Sequence, residues 1–88
     1  MALGDVVHYT FDATQASYVR MRGASSGVTR FPGVPDPAAG TTLPAEVVHE
    51  YGDGTVDLRV SLRGPGIHFV QNVPQGTAGQ QGRWVVPA

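Results

Sequence analysis

Cysteine is absent from this 88-residue chain, and so is lysine. Without cysteine there is no disulfide and no thiolate metal site. Without lysine all six cationic side chains are arginines, set against seven acids for a formal net charge of −1. Scattered arginines on a slightly acidic chain make a poor electrostatic footprint for DNA or RNA. Aromatics are sparse, at 8% of residues. A surface that stacks nucleotides needs exposed aromatics on a basic face, so no nucleic-acid partner is expected. No stretch approaches the roughly 20 apolar residues that cross a bilayer as a helix. The first five residues lack a basic start and an apolar run, so no signal peptide and no membrane partner are expected. The chain is expected to be made in the cytoplasm and to stay soluble.

What is present is β-patterned. In Thr55–Leu62, Val56, Leu58, Val60 and Leu62 alternate with Thr55, Asp57, Arg59 and Ser61. A period of two sends alternate side chains to opposite faces of a sheet. Gly52-Asp-Gly54 before it supplies a tight turn, because glycine and aspartate accept positive φ. Five strands are expected: 6–11, 45–51, 55–62, 67–73 and 83–86. Val7, Tyr9 and Phe11 share one face of the first; Ile67, Phe69 and Val73 are expected to share one face of the fourth. Asp12 can cap a short helix on residues 12–22, ended by Gly23, although Ser17-Tyr-Val19 also suits a strand. Trp84 is expected to close the core.

Residues 23–44 are rich in Gly, Pro, Ser, Thr and Ala and contain Pro32-Gly-Val-Pro-Asp-Pro37. Proline supplies no N–H, so this segment is not expected inside a sheet. Ordering its backbone would cost about 1–2 kcal/mol per residue. It is expected to be an extended arm, mobile alone and ordered against a partner, with Phe31 and Val34 as its anchors. Short strands, tight turns and one long early loop predict a single all-β domain over residues 1–88. The fold is a small five-stranded SH3-like, or alternatively OB-like, partly open barrel. A domain this small buries only about 60% of its unfolded surface, so homo-oligomerisation is a possible support.

No catalytic constellation stands out, and no enzyme activity or cofactor is expected. His8, His49 and His68 lie in strands without ligand spacing, so no metal is expected and sheet-face or interface histidines are the better reading. Ser25, Ser26 and Ser61 lack a nucleophile elbow. Glu46 and Glu50, four apart on a strand, are expected on one face as surface carboxylates. Asp57 and Arg59 also share a face and are expected to form a solvated or interfacial pair.

Five segments follow one another in an order of their own: Gly4-Asp-Val-Val-His-Tyr9, Pro44-Ala-Glu-Val-Val48, Gly54-Thr-Val-Asp-Leu-Arg-Val60, Asn72-Val-Pro74 and Gly82-Arg-Trp-Val-Val-Pro87. Together they resemble a family of small tailed-bacteriophage proteins with a GDIVHY opening, PAIV and VNLxV strands, an SVP element and a GTWHWP ending. The likeness spans most of the chain outside residues 23–43. It departs at Asp57, where the family has Asn, and at Arg83-Trp-Val-Val86, where the second tryptophan is missing. The resemblance implies a phage origin. The role expected from it is a virion protein on the capsid surface that decorates the lattice of the major capsid protein or another virion subunit. The contacts are expected at Arg30, Phe31, Val34, Arg59 and Arg63. The alternative is a non-virion SH3-like adaptor that binds a phage or host peptide through Tyr9, Tyr51 or Trp84.

Overall fold

The computed structural model describes residues 2–25, 37–62 and 66–87, with the side chains of 22–25 left aside. Five antiparallel strands form one curled sheet: β1 (Val6–Thr10), β2 (Thr42–Glu50), β3 (Val56–Ser61), β4 (Ile67–Val73) and β5 (Arg83–Val85). One helix, α1 (Ala13–Ser25), lies between β1 and β2 in sequence. The spatial order is β4-β3-β2-β1-β5. The result is a small all-β, partly open barrel. Past β4 the chain crosses to β5, where Gln75 forms a parallel bridge with Trp84. The Trp84 N–H donates to the Pro74 carbonyl (3.2 Å), and the Gly76 N–H donates to the Trp84 carbonyl (2.9 Å). The outer side of β5 is thereby covered, while among the described residues β4 pairs with β3 alone.

The core follows from period-two patterning. Val7 and Tyr9 of β1 with Phe11 just beyond, Val56, Leu58 and Val60 of β3, and Leu43, Ala45 and Val47 of β2 all point inward and are buried. Tyr9 and Phe11 meet edge to face with ring centroids 5.2 Å apart, a geometry the ring quadrupoles favour. Trp84 closes the far side, buried as expected.

Asp12 caps α1. Its Oδ1 accepts from the Gln15 N–H at 2.7 Å, satisfying one of the helix's orphan donors. Ala16 and Val19, three apart on one face of the helix, are buried with the core residues of the sheet. The helix does not stop at Gly23 but runs through it to Ser25. Glycine costs only about 1 kcal/mol inside a helix, which neighbouring turns can offset.

β2 begins earlier than the proline rule predicts. Thr42, Leu43 and Pro44 all pair with β1. The Phe11 N–H donates to the Thr41 carbonyl and the Val47 N–H to the Asp5 carbonyl, both at 2.9 Å. These bonds fix the alternation of the ladder, so residues 43, 45 and 47 bond to β1 and Pro44 turns its nitrogen away. Pairing with β3 starts only at Ala45–Val60. Pro44 therefore removes no ladder bond. The proposed arm is shorter than 23–44: both its ends belong to regular elements, and residues 26–36 lie outside the described residues.

Two register shifts correct two face assignments. In β4, Val70 pairs with Leu58 but Val73 pairs with Val56, so Gln71 and Asn72 stand against Asp57 alone. The extra residue is a β-bulge, which breaks the period of two. Consequently His68, Val70 and Val73 face inward, while Ile67 and Phe69 are exposed. In β2 the shift falls at Val48, between the Val47–Leu58 and His49–Asp57 pairs. Glu46 then pairs with Arg59 on the outer face and Glu50 with the buried Val56. The two glutamates do not share a face.

Candidate functional site

A concavity lies along the side of β4 that faces away from β3, next to α1. It holds about 450 Å3 and is lined by Gln15, Tyr18, His68, Phe69, Val70, Gln71 and Asn72. None of these side chains carries a formal charge with histidine neutral. The helix is tied to the strand through His68 and Gln15, whose Nε2 and Oε1 lie 2.8 Å apart. The His68 ring also stacks on Phe11, with centroids 5.8 Å apart. His68 is thus a buried strut between helix and sheet.

The edge has a defined polarity. The Leu62 N–H donates to the Gly66 carbonyl at 3.1 Å. Alternation along an antiparallel ladder then makes Val60–His68 and Leu58–Val70 the bonded pairs. Phe69 and Gln71, between those positions, direct backbone groups away from β3, and these take no partner among the described residues. Apolar groups flank the edge on both sides. Tyr18 is 49% exposed on the helix side, and Phe69 is 56% exposed on the outer face, opposite Arg59.

The bulge beside this edge is pinned by Asp57. Its Oδ1 accepts from the Asn72 N–H (2.9 Å), and its Oδ2 accepts from the Tyr51 hydroxyl (2.9 Å). Asn72 adopts φ 56°, a left-handed conformation that asparagine tolerates better than other side chains. The bond to Asp57 raises the Tyr51 pKa, with burial and the charges of Asp57 and Asp53 adding to it. At the hairpin, Thr55 donates to Asp53 Oδ1 through its hydroxyl (2.7 Å) and its N–H (3.1 Å). These bonds lower the Asp53 pKa. Asp53 thus shapes the turn through its side chain and not through a positive φ, which Gly54 takes instead at 93°.

The expected contact residues fall in two groups. Arg59 is described and exposed, and its Nη2 donates to Glu46 Oε1 at 2.8 Å. The expected Asp57–Arg59 pair does not form, because cross-strand Glu46 is nearer to Arg59 than its own-strand neighbour, while Asp57 is held by the bulge. Arg30, Phe31, Val34 and Arg63 lie outside the described residues. Among the aromatics proposed for a peptide groove, Tyr9 and Trp84 are buried at 1% and 4% exposure. Tyr51 is half-buried, with His49 against its ring at a centroid distance of 4.6 Å. Among the described residues no three His, Cys, Asp or Glu side chains gather as metal ligands, and no helix is long and apolar enough to cross a membrane.

No protein-family model, no curated protein and no solved structure matches this chain. The site must be read from its own geometry. A shallow, uncharged groove beside the outward backbone groups of Phe69 and Gln71 offers donors, acceptors and apolar contact area. Sequence reasoning missed it because unbroken alternation sets Ile67 and Phe69 on the same face as Val73. The available signal was that Ile67–Val73 contains no charged residue and no proline, the devices that usually guard an edge strand.

Proposed function

We propose that this protein is a structural, non-enzymatic component of a tailed-phage particle, a decoration protein that binds the lattice of the major capsid protein. The ordered motifs that resemble small phage proteins support the phage origin. The observation that carries the decorating role is the presence of two separate apolar regions exposed among the described residues of one small barrel. Tyr18 and Phe69 flank the β4 edge. Leu3, Val6 and Val48 are exposed elsewhere, brought alongside one another where the Gly4 N–H donates to the Val47 carbonyl (2.9 Å). A decorating subunit needs one surface for the lattice and another for its neighbour, and repeated copies gain avidity from a shared lattice. The lattice contacts are assigned to Arg30, Phe31 and Val34, with Arg59 and Arg63.

The peptide-adaptor reading is weaker, because burial of Tyr9 and Trp84 removes two of its three groove aromatics. Mass spectrometry of purified particles separates the two roles. Decoration requires an abundance near that of the major capsid protein; absence from particles overturns it. Replacing residues 27–36 with a Gly/Ser stretch of equal length leaves β2 and α1 intact and should abolish capsid binding. Undiminished binding would remove Arg30, Phe31 and Val34 from the contact set.

A further inference from the structure

We propose that Asp53 is a site of spontaneous isoaspartate formation, through attack of the Gly54 backbone nitrogen on its side-chain carboxyl, and that Thr55 restrains this reaction in the folded chain. The inference is independent of the capsid reading and would hold for a protein with another role.

Three observations place the chemistry at this turn. The first is the residue pair. Of the aspartates in the chain, only Asp53 precedes a glycine, and a residue without Cβ leaves the attacking nitrogen unshielded. The second is access. Asp53 and Gly54 are both exposed, and Gly54 has φ 93° with open space where a Cβ would stand. Its N–H donates to the Tyr51 carbonyl at 3.4 Å. That is longer than the about 2.7–3.2 Å usual for such bonds, so the nitrogen is weakly held. The third is Thr55, whose hydroxyl (2.7 Å) and N–H (3.1 Å) both donate to Asp53 Oδ1. Bonds of this kind favour the ionised carboxylate, and they lower the Asp53 pKa. An ionised carboxylate is a poor electrophile. Thr55 therefore keeps the carboxyl in its unreactive form.

The reaction needs only water. In the protonated minority, the Gly54 nitrogen bonds to Asp53 Cγ and the Cγ–OH bond breaks. Water leaves, made of the acid's hydroxyl and the amide proton, and a five-membered succinimide remains. Water then adds to one of the two ring carbonyls and reopens the ring. Cleavage on the main-chain side routes the backbone through Cβ and Cγ, giving an isomer of equal mass. The product has one extra backbone methylene in a hairpin closed by the Tyr51 N–H donating to the Thr55 carbonyl at 3.0 Å. Tyr51 also donates to Asp57, so isomerisation should loosen both the turn and the bulge behind it. The free α-carboxylate left in the exposed turn is the group that a methyl-transferring repair enzyme takes.

The test follows the full chain, kept folded in mildly acidic buffer at physiological temperature and sampled over weeks. Isoaspartate is read by methyl transfer from S-adenosylmethionine with an isoaspartyl methyltransferase, and fragmentation mass spectra of digests place it. It should accumulate at Asp53 ahead of Asp5, Asp12 and Asp57. Thr55→Val, which removes the hydroxyl but keeps the branched side chain, should raise the rate about two- to tenfold, the effect of one hydrogen bond on a carboxylate's acidity. Thr55→Ser restores the hydroxyl and should return the rate to that of the unmodified chain. In denaturing urea the unmodified chain should react faster than when folded, and Thr55→Val no faster than it. No preference for Asp53 overturns the site. An unchanged rate in folded Thr55→Val overturns the restraint, as does an acceleration that persists in urea. If Thr55→Val fails to fold, the unmodified chain decides: equal rates folded and in urea overturn the restraint.

Discussion

Trp84 shows how much one side chain carries in a chain of this size. It is buried against β1, opposite Tyr9, and its indole Nε1 has no hydrogen-bond partner among the described residues. Truncating a buried Trp to Ala typically costs about 3–5 kcal/mol, while 88 residues are stabilised by about 4–13 kcal/mol at 0.05–0.15 kcal/mol each. Trp84→Ala should therefore lose most of the fold's stability, seen as a large drop in urea midpoint. Trp84→Phe should cost distinctly less, since it also removes an unpaired buried N–H. Tyr9 gives a pH prediction. Burial, then the Asp12 carboxylate, raises its pKa above the ordinary value of 10.0. The folded state thus holds this proton more tightly than the unfolded chain. Its contribution is complete below about pH 10 and is lost as pH rises above that, with a limiting slope of about 1.4 kcal/mol per pH unit for one group. In Tyr9→Phe, urea unfolding measured above pH 10 should show that slope reduced.

At the level of elements, strand existence was legible and strand phase was not. The Val56, Leu58 and Val60 alternation needed no tertiary information, and β1 and β3 matched it. β4 was assigned to the right residues but the wrong face for Ile67 and Phe69, because alternation cannot reveal a bulge whose cause is a contact with another strand. Here that cause is Asp57, which was legible as a charged strand residue but not as the acceptor for Asn72. The same limit applied to β2: Pro44 argued against a strand until the ladder showed its nitrogen facing an unpaired side. Asp12 and α1 were legible as local chemistry, the groove between α1 and β4 was not. Asp57→Ala should destabilise the protein by roughly 1–3 kcal/mol through loss of two hydrogen bonds. It should also speed hydrogen exchange at the Asn72 amide. Asp57→Asn keeps a carbonyl acceptor for Asn72 and should cost less. Equal losses in the two variants would show that charge, not the acceptor, holds the bulge.

Across the whole molecule, the open-barrel shape depends on how the chain turns back after β4. Residues 74–76 leave the sheet at one edge and cover the other. Gly76 sits at the tightest point of this return. A Cβ placed there would lie 2.5 Å from Arg83 Cβ and 2.7 Å from Arg83 Cγ, and would also meet Gln80 Oε1. Arg83 Cβ is fixed by the backbone of β5, so the clash cannot be relieved by rotating a flexible tip. Gly76→Ala must push the 74–76 segment away from β5, stretching the bonds between Gly76 and Trp84 and between Trp84 and Pro74. Overpacking of this kind costs about 1–3 kcal/mol, here spent on barrel closure. The variant should unfold at lower urea, and its tryptophan emission should shift to the red as water reaches Trp84. Gly79→Ala in the same loop is a control for backbone conformation, since Gly79 has φ 78° but open space at its Cβ position. It should lose stability without a change in native emission. A blue, unshifted spectrum in Gly76→Ala, with wild-type stability, would mean that the return segment does not hold the barrel closed.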